Sequence, residues 1–383
     1  MQEFIEFNLG ARVIFNAGVA RELGPLVEDC GGQRVFVVAD KGVVNAGLLA
    51  PVLAGLQGCV VGVFDAVPPN SSLNAVQQGT AAARAAEADL IIAVGGGSPI
   101  DTAKGMRILL TLGGELTDYE GYNVINQRLT PLIVLPTTAG TGSEVTPYAV
   151  IKDEAAGRKI SGIVSRFVVP DMAVLDPELT RSLPPTLTAA TGMDALSHAI
   201  EAYVSTNNNP FSDSMALYAI DLIATHLRTA VRQGDDLEAR GHMLIASCMA
   251  GVACSSTLFG VVHAISHTAG GMFPIHHGTL NSIALPLSMA FNSPAMPERY
   301  VRIARALGIN EHGLSTEEVI AAGVSAVAAL AVDCGLPTRL RDVGVPETAL
   351  PELAALSLHD GTMLTNPRAA TEEELLELVR GMW

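Results

Sequence analysis

Two pairs of metal-binding residue types recur at the spacing of one helical turn in the second half of the chain. Asp194 and His198 form the first pair, and His263 and His267 form the second. Side chains four residues apart project from the same face of a helix, so an oxygen of Asp194 and a nitrogen of His198 can reach one ion. Taken alone, that pair is better explained as an ordinary hydrogen-bonded Asp–His contact.

Two more histidines, His276 and His277, follow the second pair closely and precede Gly278. Histidines are costly to bury in an otherwise apolar region unless something binds them. Taken together, the two segments therefore predict a bound divalent metal. The zinc-peptidase pattern H-E-x-x-H does not fit, because Ala264 stands where the general-base Glu would be.

A glycine-bearing turn in the first half of the chain is a candidate for binding a nucleotide. The run Gly95–Ser98 follows a short apolar segment and precedes a helix start. Glycines let the backbone approach a pyrophosphate closely, and the N–H groups of a helix start are donors for it. The run is not the G-x-G-x-x-G fingerprint, and alone it is better explained as a plain strand-to-helix connection.

A second polar turn, Pro136–Thr146, follows the next strong strand and adds hydroxyls and glycines at the same edge of the expected sheet. Two such turns favour a dinucleotide site over two plain connections. Asp40 ends the first strong strand, where an acid can bond the adenosine ribose and repel a 2′-phosphate. Its position supports equally well a role in capping the turn Asp40–Gly42.

The elements that must carry these residues change in character along the chain. In the first half, nearly continuous runs of Val, Ile and Leu alternate with helical segments, which predicts a parallel sheet covered on both faces. The predicted strands are Arg34–Ala39, Cys59–Phe64, Asp89–Val94, Pro131–Leu135 and Met172–Leu175. After Pro185 helical periodicity replaces the strand pattern. The predicted helices include Thr188–Val204, Ser212–Val231, Glu238–Ala253, Pro297–Leu307, Thr316–Cys334 and Thr371–Met382.

A chain of 383 residues exceeds the size that one core usually reaches, so two domains sharing a cleft are expected. We predict an α/β Rossmann-like domain with a parallel sheet over residues 1–183, which binds NAD(P). Residues 184–383 are predicted to form an all-α domain that carries the metal site and the catalytic residues.

Composition narrows the class of partner and the compartment. The net charge of −16 argues against nucleic acid and against an anionic membrane surface. Five scattered cysteines without a C-x-x-C favour reduced thiols, and no signal peptide pattern is seen, so a cytoplasmic location is expected. The most apolar stretch, Cys248–Ile275, contains histidines and glycines, which favours a buried helix pair over a membrane span.

Four stretches in this order resemble the signatures of the iron-containing alcohol dehydrogenase family, and the similarity runs over essentially the whole chain. They are Gly95–Asp101, Pro136–Glu144, Ala190–Glu201 and Gly260–His267. The fold of that family, a Rossmann-like domain followed by a helical domain, agrees with the order of elements above. Within it, Leu340–Val345 and Asn366–Arg368 are most similar to the branch of lactaldehyde reductases and 1,3-propanediol dehydrogenases.

The resemblance implies roles for individual residues. His267 matches a histidine near the substrate, and Gly278 favours His277 over His276 as a ligand. The implied metal ligands are Asp194, His198, His263 and His277. The implied nucleotide-contacting residues are Asp40, Asn70, Gly96, Gly97, Ser98, Asp101, Thr137, Thr138, Thr146 and Lys159. Turn and cap formation is the competing explanation for this second group.

The resemblance also implies the reaction, in which a small primary alcohol or diol and its aldehyde are interconverted by hydride transfer with NAD, or with NADP. One divalent ion would lower the pKa of the alcohol hydroxyl, and His267 is the candidate for passing the alcohol proton towards solvent. Fe²⁺ suits four nitrogen and oxygen ligands, and Zn²⁺ is also compatible with them. A homo-oligomer, dimer or larger, is expected.

Two rival functions are weighed against this one. A lyase resembling dehydroquinate synthase would need basic residues for a phosphorylated, carboxylated substrate, and the segment His263–Gly278 carries none. A non-enzymatic assembly protein would have no reason to keep both a nucleotide site and a metal site. Net NADH production from a simple alcohol would separate the three functions.

Overall fold

The structure is a computed structural model that describes residues 5, 7, 9–155 and 158–383, without the side chains of residues 158, 159 and 161. The chain divides into two compact units. One is Asn8–Ser182, and the other is Leu183–Trp383 together with the segment Met1–Phe7.

The first unit is built on a six-stranded sheet in which every strand pairing is parallel. The strands along its described residues are β1 (Arg12–Phe15), β2 (Val35–Asp40), β3 (Val60–Val67), β4 (Leu90–Gly95), β5 (Gly121–Tyr122), β6 (Leu132–Pro136), β7 (Tyr148–Asp153), β8 (Arg158–Val164) and β9 (Met172–Leu175). The large sheet has the order β1-β9-β6-β4-β2-β3, and a smaller sheet has the order β5-β8-β7. The helices of this unit are α1 (Gly24–Asp29), α2 (Lys41–Asn45), α3 (Leu49–Gly55), α4 (Leu73–Ala85) and α5 (Gly97–Leu112).

The five predicted strands are present as β2, β3, β4, β6 and β9; β9 has the predicted ends, and the ends of the other four are shifted by one to three residues. Strands β4, β6 and β9 are buried at every position, as uninterrupted apolar runs in a covered parallel sheet should be. The sequence prediction did not include β1 or the small sheet. These strands lack a continuous buried run, because β1 is largely exposed and β7 alternates between buried and more exposed positions.

The second unit is helical over its described residues. Its helices are α6 (Pro185–Val204), α7 (Pro210–Arg232), α8 (Leu237–Thr257), α9 (Val261–Met272), α10 (His277–Asn292), α11 (Pro297–Ala306), α12 (Thr316–Asp333), α13 (Leu350–Leu358) and α14 (Glu372–Met382). The six helices named from the sequence are all present. The predicted fold class is therefore confirmed: an α/β unit with a parallel sheet, followed by a helical unit.

The most apolar part of the chain forms two of these helices, α8 and α9. No single helix of the described residues has the length and apolar composition needed to cross a membrane. Together α8 and α9 meet both criteria, but the pair bends by 99° where the two helices join.

Candidate active site

Helix α6 supplies the first acidic and imidazole groups of the site. Asp194, His198 and Glu201 are all buried in it, at 3%, 4% and 3% exposure. Seven residues span almost two helical turns, so Glu201 shares a face with Asp194, as does His198 one turn after Asp194. The Nε2 atom of His198 lies 3.6 Å from Asp194 Oδ1.

The sharp bend between α8 and α9 brings the second pair of histidines to that face. Leu258 has a φ of 60° and a ψ of −163°, a region that is almost restricted to glycine, so the backbone here is strained. Phe259 then stacks on His263, with ring centroids 4.0 Å apart. A Cβ on Gly260 would lie 2.6 Å from Asn366 Oδ1, so only glycine fits where α9 begins.

Helix α10 completes the group through its first residue. One ligand atom each from Asp194, His263 and His277 lies within 4.8 Å of the other two. A Cβ on Gly278 would lie 2.3 Å from the Ala190 carbonyl oxygen, so this glycine lets α10 approach α6. His276 is exposed and lies just before the first residue of α10. The geometry therefore selects His277 over His276.

Asn281, one turn after His277, was not identified from the sequence. Its Nδ2 donates to Asp194 Oδ1 at 2.6 Å, and lies 3.3 Å from His263 Nε2 and 3.1 Å from His277 Nε2. Three acceptor atoms thus converge on one electropositive group. Lone pairs of a carboxylate and two imidazoles that meet at one point fit a divalent cation, so these residues are suited to hold one.

Burial and neighbouring side chains favour the metal-binding protonation states of His263 and Asp194. Burial lowers the pKa of His263 well below its ordinary value, and the nearby His198 and His277 lower it further. Burial raises the pKa of Asp194, but His198, His277 and Asn281 outweigh that effect and hold this pKa below its ordinary value. A neutral imidazole and an ionised carboxylate are the forms that bind metal.

In the first unit, three neighbouring strands of the large sheet end beside residues predicted to bind the nucleotide. Strands β2, β4 and β6 are neighbours and end at Asp40, Gly95 and Pro136. Thr137 N donates to the Gly95 carbonyl oxygen at 3.0 Å, which joins the two glycine-bearing turns. A Cβ on Gly96 would lie 3.2 Å from Thr138 Oγ1. Ligands of parallel α/β sheets bind at this edge.

The partly or fully exposed members of the predicted nucleotide group are Asp40, Asn70, Gly96, Gly97, Ser98 and Thr138. Thr137, Asp101 and Thr146 are buried, and the Lys159 side chain lies outside the described residues. Lys104 Nζ donates to Thr146 Oγ1 at 3.1 Å, and Asp101 Oδ2 accepts from Val150 N at 3.0 Å. Burial lowers the pKa of Lys104 to about 8. A nucleotide contact stays a prediction for every member of this group.

Comparison with known proteins identifies the family. Residues 10–177 match the iron-containing alcohol dehydrogenase family, and residues 188–383 match the C-terminal part of the Fe-containing alcohol dehydrogenase family. The chain belongs to the iron-containing alcohol dehydrogenase family. It is therefore an oxidoreductase that interconverts alcohols and aldehydes, rather than a lyase or an assembly protein. The metal site of the family is formed here by Asp194, His263 and His277.

Individual relatives cover almost the entire dehydrogenase. The 1,3-propanediol dehydrogenase of Citrobacter freundii is 41% identical over 354 residues, which is 91% of each chain. The lactaldehyde reductase of Escherichia coli K12 is 37% identical over 373 residues, covering 96% of this chain and 97% of the relative. The predicted likeness to these two kinds of enzyme is confirmed.

A solved structure extends the comparison to a cofactor complex. The sulfoacetaldehyde reductase of Bifidobacterium kashiwanohense in complex with NAD+ has a TM-score of 0.90 and 30% identity to this dehydrogenase. The match covers 100% of this chain and 99% of that one.

Glu201 supports the metal site of the dehydrogenase from outside the ligand group. Its Oε2 lies 2.5 Å from His263 Nδ1, and its Oε1 accepts from Val262 N at 2.7 Å. Burial raises the pKa of Glu201 to about 8, although hydrogen bonds from backbone N–H groups act in the opposite direction. In its ionised form Glu201 accepts Nδ1–H of His263, which leaves the Nε2 lone pair of His263 for an ion. The sequence signal for Glu201 was its place on the same face of α6 as Asp194.

We predict that Glu201→Gln weakens metal binding by about 10- to 100-fold, the usual effect of losing a group that orients a ligand. Glu201 faces two N–H donors, those of Val262 and His263, but a glutamine has only one acceptor oxygen. Its NH₂ group would therefore face one of the two donors. His263 can then escape the clash only by moving or by shifting its proton to Nε2. Competition with a chromogenic Zn²⁺ chelator measures the change, with the exposed Glu347→Gln as the matched control. Unchanged affinity in a folded Glu201→Gln protein would contradict the orienting role.

Proposed function

We propose that this dehydrogenase interconverts a small primary alcohol or diol and its aldehyde, using NAD and one divalent ion held in the helical unit. The supporting observation is the convergence of ligand atoms from Asp194, His263 and His277. His267 lies one helical turn after His263, with the two rings 5.7 Å apart. Its side chain is about one-third exposed, at 37%. This exposure supports our assignment of His267 as the group that exchanges a proton with solvent.

The reaction balances as alcohol plus NAD+ giving aldehyde, NADH and one proton. A divalent ion, when bound, supplies the Lewis acidity that lowers the pKa of the alcohol hydroxyl. His267 accepts the hydroxyl proton and passes it to water, and it returns a proton in the reverse direction. Asp194 and His263 hold their donor atoms in a buried, fixed arrangement. We assign NAD to the edge of the sheet formed by the ends of β2, β4 and β6.

We further propose Fe²⁺ as the resident ion and His198 as the fourth ligand. His198 is buried beside Asp194, and its ring lies 4.9 Å from that of His263. Three imidazoles and a carboxylate suit Fe²⁺ and are also accepted by Zn²⁺. Elemental analysis of protein purified without oxygen would identify the ion.

A substrate panel tests the proposed function. Its members are short primary alcohols, 1,2- and 1,3-diols and the corresponding aldehydes, each with NAD or NADP and with Fe²⁺ or Zn²⁺. The names of the relatives, which include a propanediol dehydrogenase and a lactaldehyde reductase, favour short substrates with a second oxygen. We expect metal-dependent NADH formation to be fastest with such diols. Absence of NADH formation from every alcohol, together with absence of aldehyde reduction, would refute the proposal.

The cofactor preference gives a prediction for Asp40. Its Oδ1 accepts from Val43 N at 2.9 Å, so Asp40 caps α2 whether or not it also contacts a ribose. We expect NAD to be preferred to NADP, because the carboxylate would repel a 2′-phosphate. Asp40→Gly should reduce the ratio of kcat/KM for NAD over NADP at least about tenfold, since like charges in contact cost several kcal/mol.

Asp40→Asn separates the charge from the cap. Asparagine caps a helix about as well as aspartate, and glycine loses only a few tenths of a kcal/mol relative to them. Both variants should therefore remain folded, and both should accept NADP better than the wild type. If neither changes the NAD:NADP ratio, Asp40 serves only as a helix cap.

A further inference from the structure

A further carboxylate, that of Asp360, contacts the partly exposed His267 from a distant part of the chain. The Nδ1 atom of His267 lies 3.2 Å from Asp360 Oδ2, across 93 residues of sequence. Asp360 is less exposed than its partner, with side-chain exposures of 20% and 37%. His267 is not among the three residues whose ligand atoms converge. The Nδ1 atom of His267 thus contacts Asp360, whereas the ligand atoms of the other three residues converge on one another.

The two oxygens of Asp360 have different partners. Oδ1 accepts from Thr362 N at 2.9 Å and from Thr362 Oγ1 at 2.7 Å, which caps the 3₁₀ turn Gly361–Thr365. Oδ2 is left for His267. Burial raises the pKa of Asp360, but the hydrogen bond from His267 and the Thr362 donors outweigh it and leave that pKa below its ordinary value.

The same segment is tied to the beginning of α9, the helix that carries His267. Thr362 Oγ1 lies 3.1 Å from the Gly260 carbonyl oxygen, and Asn366 Oδ1 accepts from Val261 N at 3.0 Å. These contacts fix the position of the Asp360 carboxylate relative to the helix. A carboxylate fixed in this way holds an imidazole in one tautomer and one orientation.

We propose that Asp360 is a positioning residue for proton transfer, which accepts Nδ1–H of His267 and leaves Nε2 as the nitrogen that exchanges the alcohol proton. The inference rests on the proposed function, in which His267 is the proton relay. In oxidation the hydroxyl proton goes to Nε2, and the resulting imidazolium is stabilised by Asp360 until Nε2 gives the proton to water. The hydride goes to NAD+, so the overall balance is unchanged.

The alternative is that Asp360 serves only as the cap of its 3₁₀ turn, and two variants separate these roles. Asp360→Ser keeps a good cap but is too short to reach the imidazole. Asp360→Asn keeps the shape, but its amide can donate to Nδ1 and favour the wrong tautomer. Both should lower kcat about 10- to 100-fold, less than the roughly 10²- to 10⁴-fold contribution of a general base. Bound metal should remain at the wild-type level.

A double-mutant cycle with His267→Ala decides whether Asp360 acts through His267. In the His267→Ala background, Asp360→Asn and Asp360→Ser should cause less than about a twofold further change in kcat, because coupled residues are not additive. The exposed Asp342→Asn is the matched control, with wild-type rates expected. A wild-type protein that forms no NADH from alcohols would refute the proposed function itself. In an active enzyme, normal kcat in Asp360→Ser, or equal losses in both backgrounds, would overturn the role of Asp360.

Discussion

Replacing His263 by Ala should remove most of the bound ion and lower turnover by about 10³-fold or more. His263 is the central imidazole of the site, since its ring contacts those of His198 and His277. Its loss leaves Asp194 and His277 without the ligand that joins them. A bound ion supplies several kcal/mol of transition-state stabilisation, and about 1.4 kcal/mol corresponds to a factor of ten in rate. Wild-type protein should hold about one divalent ion per chain.

Metal analysis and steady-state rates on the same preparations would check this result. Wild-type enzyme stripped by a chelator should recover its activity when Fe²⁺ or Zn²⁺ is added, whereas His263→Ala should not. The exposed His312→Ala is the control for loss of a histidine away from the site. Circular dichroism would show that the fold of His263→Ala is largely kept. Full activity in a metal-free His263→Ala preparation would refute the assignment of the metal site.

The parts of this site that lie on one element could be predicted from the sequence. The spacing of Asp194 and His198 fixes a shared face once α6 is identified, and the same holds for His263 and His267 on α9. The sheet was predictable for a similar reason: β4 and β6 are covered on both faces, so their sequences are continuous apolar runs.

The supporting groups were harder to predict because they act between elements. Glu201 contacts His263 across 62 residues, and Asn281 contacts Asp194 across 87. Helical spacing places each on the correct face of its own helix, but it does not show which helices pack together. Asp360 has no such signal, since it precedes a short 3₁₀ turn and contacts the site only through the tertiary fold. A resemblance of motifs finds ligands more readily than it finds the residues that orient them.

His267→Ala should keep the ion and lower kcat by roughly 10²- to 10⁴-fold, the range typical of a general acid or base. The structure favours this result over loss of metal. The convergent group contains Asp194, His263 and His277, whereas His267 directs Nδ1 to Asp360. A lost ligand would instead strip the ion, as expected for His263→Ala, and added metal would then partly restore the rate.

Both directions of the reaction check this role. Alcohol oxidation needs a group that accepts the hydroxyl proton, and aldehyde reduction needs a group that returns it, so His267→Ala should lower both rates. If His267→Ala loses as much metal as His263→Ala, the residue is a ligand, and the relay in the proposed mechanism is wrong.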